Sequence, residues 1–426
     1  MSALANYLFA QKKTVSGSDL AENVHFSKLK EVGLSVYLGS NENYVKNADV
    51  VVYSSAVKDN DIEFSASKRF GKPVLKRSQL LGEIVSSFSR SIGVSGSHGK
   101  TTATAMIAHA LINSGINPTV FLGGEDYSFG NFLMGNCDVC VSEVCEYQKN
   151  ILDVKPKIAV VLNVDNDHMD SYGGMDDMVN TFSEYIKGVI AVLNADDKYT
   201  NRLSHSSTVT FGIDNLANYS ASGITEKNGA YSFTAKAYGR KLGRVNLKVK
   251  GRHNIYNALS AICVCDMLGV HFNTVKKALE NFCGVKRRME RVGEIRRMQV
   301  VCDYAHHPKE IMATLKAILS VDLQTVIFQP HTYSRTELLM DEFCKALLPV
   351  KNLVIFKTYP ARENFNKKGD GQALVERLKT LGKKDCKYID TEKELETYLK
   401  ENGKENKTAL VLGAGDVYDV VKRFVN

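Results

Sequence analysis

The stretch Gly93-Val-Ser-Gly-Ser-His-Gly-Lys-Thr-Thr102 sets one lysine and two threonines among closely spaced glycines. Apolar Ile92 and Val94 lie at its start. After it, Ala103, Met106, Ile107, Ala110 and Leu111 recur at helical spacing, and Gly115 supplies a stop signal. A strand, a glycine loop and a helix with Lys and Thr at its mouth is the P-loop arrangement. Backbone N–H groups and the helix N-terminus meet phosphate, Lys100 adds a point charge, and the Thr101 hydroxyl reaches Mg2+. The phosphate-contacting residues are then Gly96, Ser97, His98, Gly99, Lys100, Thr101 and Thr102. The generic pattern asks for glycine five residues before Gly99, where this chain has Val94. A tight strand–helix turn with a chance lysine is the plainer alternative.

Other stretches carry chemistry at what read as strand ends. Mg2+ takes hard oxygen ligands; Thr101 and Glu143 supply them, with His168 as ligand to a second ion. A solvated loop carboxylate is the alternative for Glu143, and a structural histidine between Asp167 and Asp170 the alternative for His168. Asp303-Tyr-Ala-His306-His307-Pro308 ends with Pro at a helix's first turn. No Cys or third His stands at ligand spacing from that His pair, which favours substrate contact over metal. Gln329-Pro-His331-Thr-Tyr-Ser-Arg335 also ends a strand, and Arg335 suits a carboxylate or phosphate clamp; a surface salt bridge is its alternative. Gly413-Ala-Gly415 reads as a tight turn rather than a phosphate site.

The elements that must position these residues alternate along the chain. In residues 1–88, Met1–Ala10 reads as helix, and Lys13-Thr14-Val15 as a strand with Asp19 near its tip. Val50–Tyr53 reads as a buried parallel strand ending in Ser54-Ser55 at a crevice. Residues 89–285 hold the P-loop, strands at 137–142 and 158–162, β-hairpins over 208–250 with an Asn228-Gly229 turn, and a helix opened by Gly251–Asn257. From 286 to 426 the alternation resumes, with strands at 299–302, 325–328, 352–356, 386–389 and 408–412. Charged runs such as Lys383-Lys384-Asp385 read as solvated loops. The expected fold class is α/β in three domains: Rossmann-like at the N-terminus, a central P-loop domain, and Rossmann-like at the C-terminus.

Composition agrees with a soluble globular protein. The 426 residues suggest about three domains. A hydrophobic fraction of 44% and a charged fraction of 24% are ordinary for a soluble chain. The net charge of +8 is dispersed rather than blocked, which suits polyanionic small substrates as well as it suits nucleic acid, the lesser alternative. No nucleic-acid-binding module motif is present. No apolar run reaches the roughly 18 residues of a membrane span. Nine Cys without paired metal spacing, among them Cys137, Cys140, Cys263 and Cys265 in apolar runs, point to core thiols in a reducing, cytoplasmic compartment. The N-terminus lacks a basic region before its apolar residues and does not read as a signal peptide.

Taken together, Gly96-Ser-His98-Gly-Lys-Thr-Thr102, Gly251-x-His253-Asn254-x-x-Asn257, Asp303–Pro308 and Phe328–Arg335 resemble the motifs of the Mur ligases, the ATP-dependent amide-forming enzymes of peptidoglycan synthesis. The likeness runs nearly end to end and is greatest to the alanine-adding branch. It implies a UDP-sugar domain, an ATP domain and a C-terminal ligase domain. It implies that ATP, with Mg2+, phosphorylates the lactyl carboxylate of UDP-N-acetylmuramate and that the amine of L-alanine attacks the acyl phosphate. By that resemblance His253, Asn254 and Asn257 face adenine, Asp303 the ribose, and Arg287 or Arg288 a phosphate. Ser18, Asp19, Ser54 and Ser55 serve the UDP-sugar, and His306 and Arg335, with Lys100, the reaction. Other members carry a carbamylated Lys about fifteen residues past the position of His168; here Asn180–Ser183 has none. Two departures stand out. The family's N-terminal glycine loop has no counterpart in this sequence, and Thr332 replaces an arginine usual in the branch. A tripeptide-adding recycling ligase and a non-catalytic nucleotide-binding relative remain as alternatives, and a monomer or weak dimer is expected.

Overall fold

The computed structural model describes residues 1–166, 171–203, 207–318, 322–361 and 363–425. Two compact units divide the chain. The first comprises Met1–Ile224, Ser232–Asn246 and His253–Phe282; the second comprises Thr225–Tyr231, Leu247–Arg252 and Cys283–Asn426.

In the first unit, Ile158–Val161 is apolar at every position and wholly buried, the pattern of a parallel strand covered on both faces. It pairs in parallel with Arg90–Ser95 on one side and Ile190–Asn194 on the other. Beyond Arg90–Ser95 lie Val139–Glu143, Thr119–Asp126 and the antiparallel edge Gly130–Leu133. Arg90–Ser95 is visited first yet sits between Val139–Glu143 and Ile158–Val161, so the strand order reverses at its carboxyl end. Open α/β sheets form their ligand crevice at such a point.

The helix Lys100–Asn113 follows from that end. Ala103, Met106, Ile107, Ala110 and Leu111 are fully buried, and so are Ala105 and Ala108. It is therefore enclosed rather than amphipathic, packed against helices His253–Met267 and Phe272–Asn281. On the far side of the sheet, Ala3 and Leu4 of helix Ser2–Ala10 join a cluster with Leu81, Val85, Phe121 and Phe182. Together these leave the loop 96–99 as the turn between two immobilised elements.

Several expectations are corrected. The N-terminal strand is Ser16–Asp19 rather than Lys13–Val15, and all four of its residues are exposed. Among the described residues it pairs only with Ser35–Leu38, while Val51–Tyr53, expected to be buried, pairs only with Val74–Lys76 and is half-buried. Each strand of a two-stranded sheet keeps one edge unpaired and open, in keeping with the exposure. Thr208–Gly212 is not a hairpin strand but extends the parallel sheet beside Ile190–Asn194. Cys137 is half-exposed and donates to the Asn117 carbonyl, unlike the buried Cys140, Cys263 and Cys265.

The second unit holds a six-stranded sheet in the order Glu290–Ile295, Met298–Asp303, Thr408–Leu412, Leu323–Phe328, Leu353–Phe356 and Cys386–Ile389. The first pair is antiparallel and the rest parallel. The loops after Asp303, Phe328 and Leu412 consequently open at one edge. Asn228 and Gly229, both at positive φ, make the expected turn between Tyr219–Lys227 and Ala230–Ala237. Lys383, expected in a solvated loop, is buried: its ammonium donates to the carbonyls of Leu348 and Val350, at the end of helix Met340–Leu347, and pairs with Asp385 at 2.9 Å. Orphan helix carbonyls attract a cation there.

Candidate active site

Val94 stands where the generic P-loop has glycine, and the geometry shows why it is tolerated. It is still part of strand Arg90–Ser95, fully buried, with its carbonyl accepting from Val144. The chain turns only at Gly96 and Gly99, whose φ angles of +131° and +86° are left-handed. Gly99 also lies against Asn257, where a Cβ would come within 2.7 Å of the amide oxygen. Two glycines thus suffice for this turn.

Asn163 and Asp165, beyond strand Ile158–Val161, brace the loop. The Asn163 side chain accepts from His98 N at 2.8 Å and donates to the His98 carbonyl at 3.0 Å. Asp165 N donates to Ser97 Oγ, and the Asp165 carboxylate faces His98 Nε2 at 3.4 Å. Asp165 had no sequence signal beyond following an apolar strand.

Thr101 Oγ1 donates to Glu143 Oε2 at 2.8 Å, and Gly123 N donates to the same oxygen at 2.8 Å. A hydroxyl and a carboxylate at a helix mouth beside a phosphate loop are the hard oxygen donors that Mg2+ takes. Gly123 lets the backbone lie close against Glu143, since a Cβ there would meet Oε1 at 2.6 Å and push the carboxylate aside. The signal that could have found it is Gly-Gly inside a strand, which marks close approach. His168 lies outside the described residues. Among the described residues no group of three or more His, Cys, Asp and Glu is arranged to hold a metal ion.

Burial opposes the charge on Lys100, but Glu146, with Cys145 and Glu143, outweighs it and holds the lysine pKa above its usual value. Burial, reinforced by Glu146, pushes the Cys145 thiol up to about 11, so it stays protonated at neutral pH. Asn254 and Asn257, both buried at the start of helix His253–Met267, bond to each other at 2.9 Å, while His253 is exposed. Tyr256, between them, donates to Asp196, whose carboxylate also accepts from the N–H groups of Ile213, Asp214 and Asn215. Asp196 and Tyr256 were not anticipated. Ser18 and Asp19 close strand Ser16–Asp19, with Ser18 Oγ on Glu63 at 2.7 Å, and Ser54 and Ser55 follow strand Val51–Tyr53.

In the second unit, Asp303 is turned inward. Its oxygens accept from Met289 N at 2.8 Å, Ala305 N at 2.9 Å and Thr314 Oγ1 at 3.2 Å. Burial raises its pKa despite Arg288. Arg287 donates to the carbonyls of Gly413 (3.1 Å) and Gly415 (2.8 Å) and lies over the rings of Tyr304 and Tyr418. Arg288 stands over Tyr304. His306 Nδ1 faces the Tyr304 carbonyl at 3.0 Å and Glu310 at 3.5 Å, and its ring meets His331 edge-on. His331 also stacks on Tyr359, and its carbonyl accepts from Arg335 at 3.1 Å. Burial, then Arg335, lowers the His331 pKa to about 4. Thr332 Oγ1 meets Ser334 Oγ at 3.1 Å, and Ser334 N donates to Glu363.

Family profiles match residues 1–89 (Mur ligase family, catalytic domain), 94–265 (Mur ligase middle domain) and 287–415 (Mur ligase, glutamate ligase domain). The UDP-N-acetylmuramate–L-alanine ligase of Acetivibrio thermocellus is 39% identical over 439 positions, covering 100% of this chain and 93% of the relative. The crystal structure of UDP-N-acetylmuramate–alanine ligase from Thermotoga maritima matches with a TM-score of 0.86 at 29% identity, over 100% of this chain and 95% of that one. A murein peptide ligase from Psychrobacter arcticus, 21% identical with a TM-score of 0.75 over 100% and 95% of the two chains, shares the fold. Profiles over all three regions, on a P-loop braced at a sheet's switch point, have one meaning: the chain belongs to the Mur ligase family.

Proposed function

We propose that this chain is an ATP-dependent ligase that joins L-alanine to the lactyl carboxylate of UDP-N-acetylmuramate through an acyl phosphate. The observation that carries the reading is the P-loop triad of Lys100, Thr101 and Glu143, set in a chain that aligns end to end with alanine-adding ligases. Amide formation from a carboxylate needs an activated acyl group, and phosphoryl transfer from ATP supplies it. The protein's part is positioning and charge stabilisation.

Gly96 to Thr102 would hold the ATP phosphates, with Lys100 offsetting the charge that builds on the transferring group. Thr101 and Glu143 fit Mg2+, which when bound would neutralise phosphate charge and orient the phosphoryl oxygens. Asn254 and Asn257 would meet the adenine side, and Ser18, Asp19, Ser54 and Ser55 the UDP-sugar. Arg335 would fix the alanine carboxylate and His306 the amine side, so that the nucleophile faces the acyl carbon. Collapse of the tetrahedral adduct then expels phosphate and leaves the amide. Thr332 offers a hydroxyl where the branch usually has a second cation, so carboxylate recognition would rest more heavily on Arg335.

Phosphate release from ATP tests this, with UDP-N-acetylmuramate present and L-alanine, glycine, L-serine or tripeptide added in turn. Release that requires both the sugar nucleotide and L-alanine is expected. Release with tripeptide alone would replace the reading with a recycling ligase. Lys100→Ala is expected to lower turnover by at least about a thousandfold, in line with loss of a principal charge stabiliser; near-normal turnover would remove the P-loop assignment.

A further inference from the structure

The Lys100 ammonium is already occupied. It donates to the carbonyls of Gly96 at 2.6 Å and Ser97 at 3.1 Å, and stands 3.0 Å from a carboxylate oxygen of Glu146. The Glu146 side chain is 0% exposed and that of Lys100 only 13%. A buried ion pair carries a large desolvation cost, and removing one partner strands the other. Such a pair at the mouth of a phosphate loop therefore calls for a reason beyond packing.

Glu146 is also held in place. Its carbonyl accepts from the Tyr172 hydroxyl and from Lys149 N. The chain turns immediately after it through Gln148 and Lys149, both in left-handed backbone at φ 51° and 57°, a conformation such residues seldom take. Three residues before it, Glu143 lies against Thr101 on the same helix turn as Lys100. The loop thus presents one cation, already matched by one carboxylate, with a second carboxylate beside it.

We propose that Glu146 is a positioning residue that stands in for phosphate at Lys100 and makes nucleotide binding depend on a divalent cation. The inference rests on reading the loop as a nucleotide site. With the pair intact, a metal-free polyphosphate meets no net positive charge from these three side chains. It must draw Lys100 away from a buried carboxylate while approaching Glu143. A divalent cation arriving with the nucleotide reverses that balance, because it is attracted by the same two carboxylates that repel bare phosphate. Lys100 can then exchange Glu146 for a phosphate oxygen without leaving the pocket uncompensated.

Calorimetric titration of the full chain with ADP, in EDTA and in Mg2+, tests the proposal. Glu146→Gln keeps the side-chain shape and removes the charge. It is expected to bind metal-free ADP about tenfold more tightly than wild type, and to gain correspondingly less from Mg2+. Metal-free affinity that is unchanged or weaker in Glu146→Gln would overturn the proposal. Wild type that binds ADP in neither buffer would instead remove the nucleotide-site reading itself. Should Glu146→Gln fail to fold, melting temperatures of Lys100→Met and of Lys100→Met with Glu146→Gln decide the matter. The double variant is expected to melt higher, because it no longer buries a lone carboxylate; equal melting temperatures would mean that Glu146 does not answer Lys100.

Discussion

His331 shows how much a single side chain can be committed by its surroundings. It is stacked on Tyr359, met edge-on by His306 and placed near Arg335, and burial with that cation lowers its pKa to about 4 against an ordinary 6.5. The native state therefore holds His331 neutral where the unfolded chain would protonate it. Protons bound only by the unfolded chain favour unfolding, so stability falls as pH drops from about 6.5 toward 4, by up to about 3 kcal/mol from this group. Urea melts across that range are expected to show the loss in wild type and a shallower one in His331→Asn. Parallel profiles would assign the acid sensitivity elsewhere. Neutral His331 also leaves Arg335 as the cation at this loop's end, consistent with a carboxylate-clamping role for that arginine. Lys100 is the opposite case, a cation kept charged by Glu146 although burial works against it.

At the scale of elements, strand Thr119–Asp126 matters as much as the P-loop helix. It brings Gly123 against Glu143 and Gly124 against Thr101, so backbone rather than side chain forms that wall of the corner proposed for Mg2+. Gly123→Ala is expected to leave the fold intact while displacing the Glu143 carboxylate, raising the Mg2+ concentration for half-maximal activity by about tenfold. An unchanged Mg2+ requirement would separate Glu143 from metal binding. Gly123-Gly124 signals a close approach in the sequence but not its partner, and the pairing of Lys100 with Glu146 is equally silent there, because each contact joins residues far apart in the chain. The strand–loop–helix itself was legible, since its signals are local: apolar Ile92 and Val94, glycines at the turn, and helical spacing up to Leu111. Local pattern misled where covering layers decide the outcome. Val51–Tyr53 looks buried by composition, yet a two-stranded sheet leaves it half-open. Lys383 looks solvated, yet the carbonyls of Leu348 and Val350 draw it inside. Asp303, which the resemblance assigns to the ribose, accepts from Met289 N, Ala305 N and Thr314 Oγ1, contacts that its place in the sequence does not announce.

For the molecule as a whole, charge is the property that the substrates sense first. Lys and Arg number 55 against 47 Asp and Glu, giving +8 without any long basic block. Among the described residues no helix is long and apolar enough to cross a membrane. Both proposed nucleotide substrates are polyanions, and a dispersed positive field accelerates their encounter without fixing their pose. Steering of this kind is screened once the Debye length falls to a few ångströms, whereas contacts inside a closed P-loop are screened far less. Raising ionic strength from about 0.05 M to about 0.5 M should therefore lower kcat/KM for ATP and for UDP-N-acetylmuramate severalfold while kcat at saturation stays nearly constant. If kcat falls in parallel, salt is reaching the Lys100–Glu146 and Thr101–Glu143 contacts themselves, and these are more exposed during turnover than their burial indicates. If neither parameter moves, the net charge serves solubility, and substrate capture rests wholly on the local geometry of the phosphate loop and of Arg335.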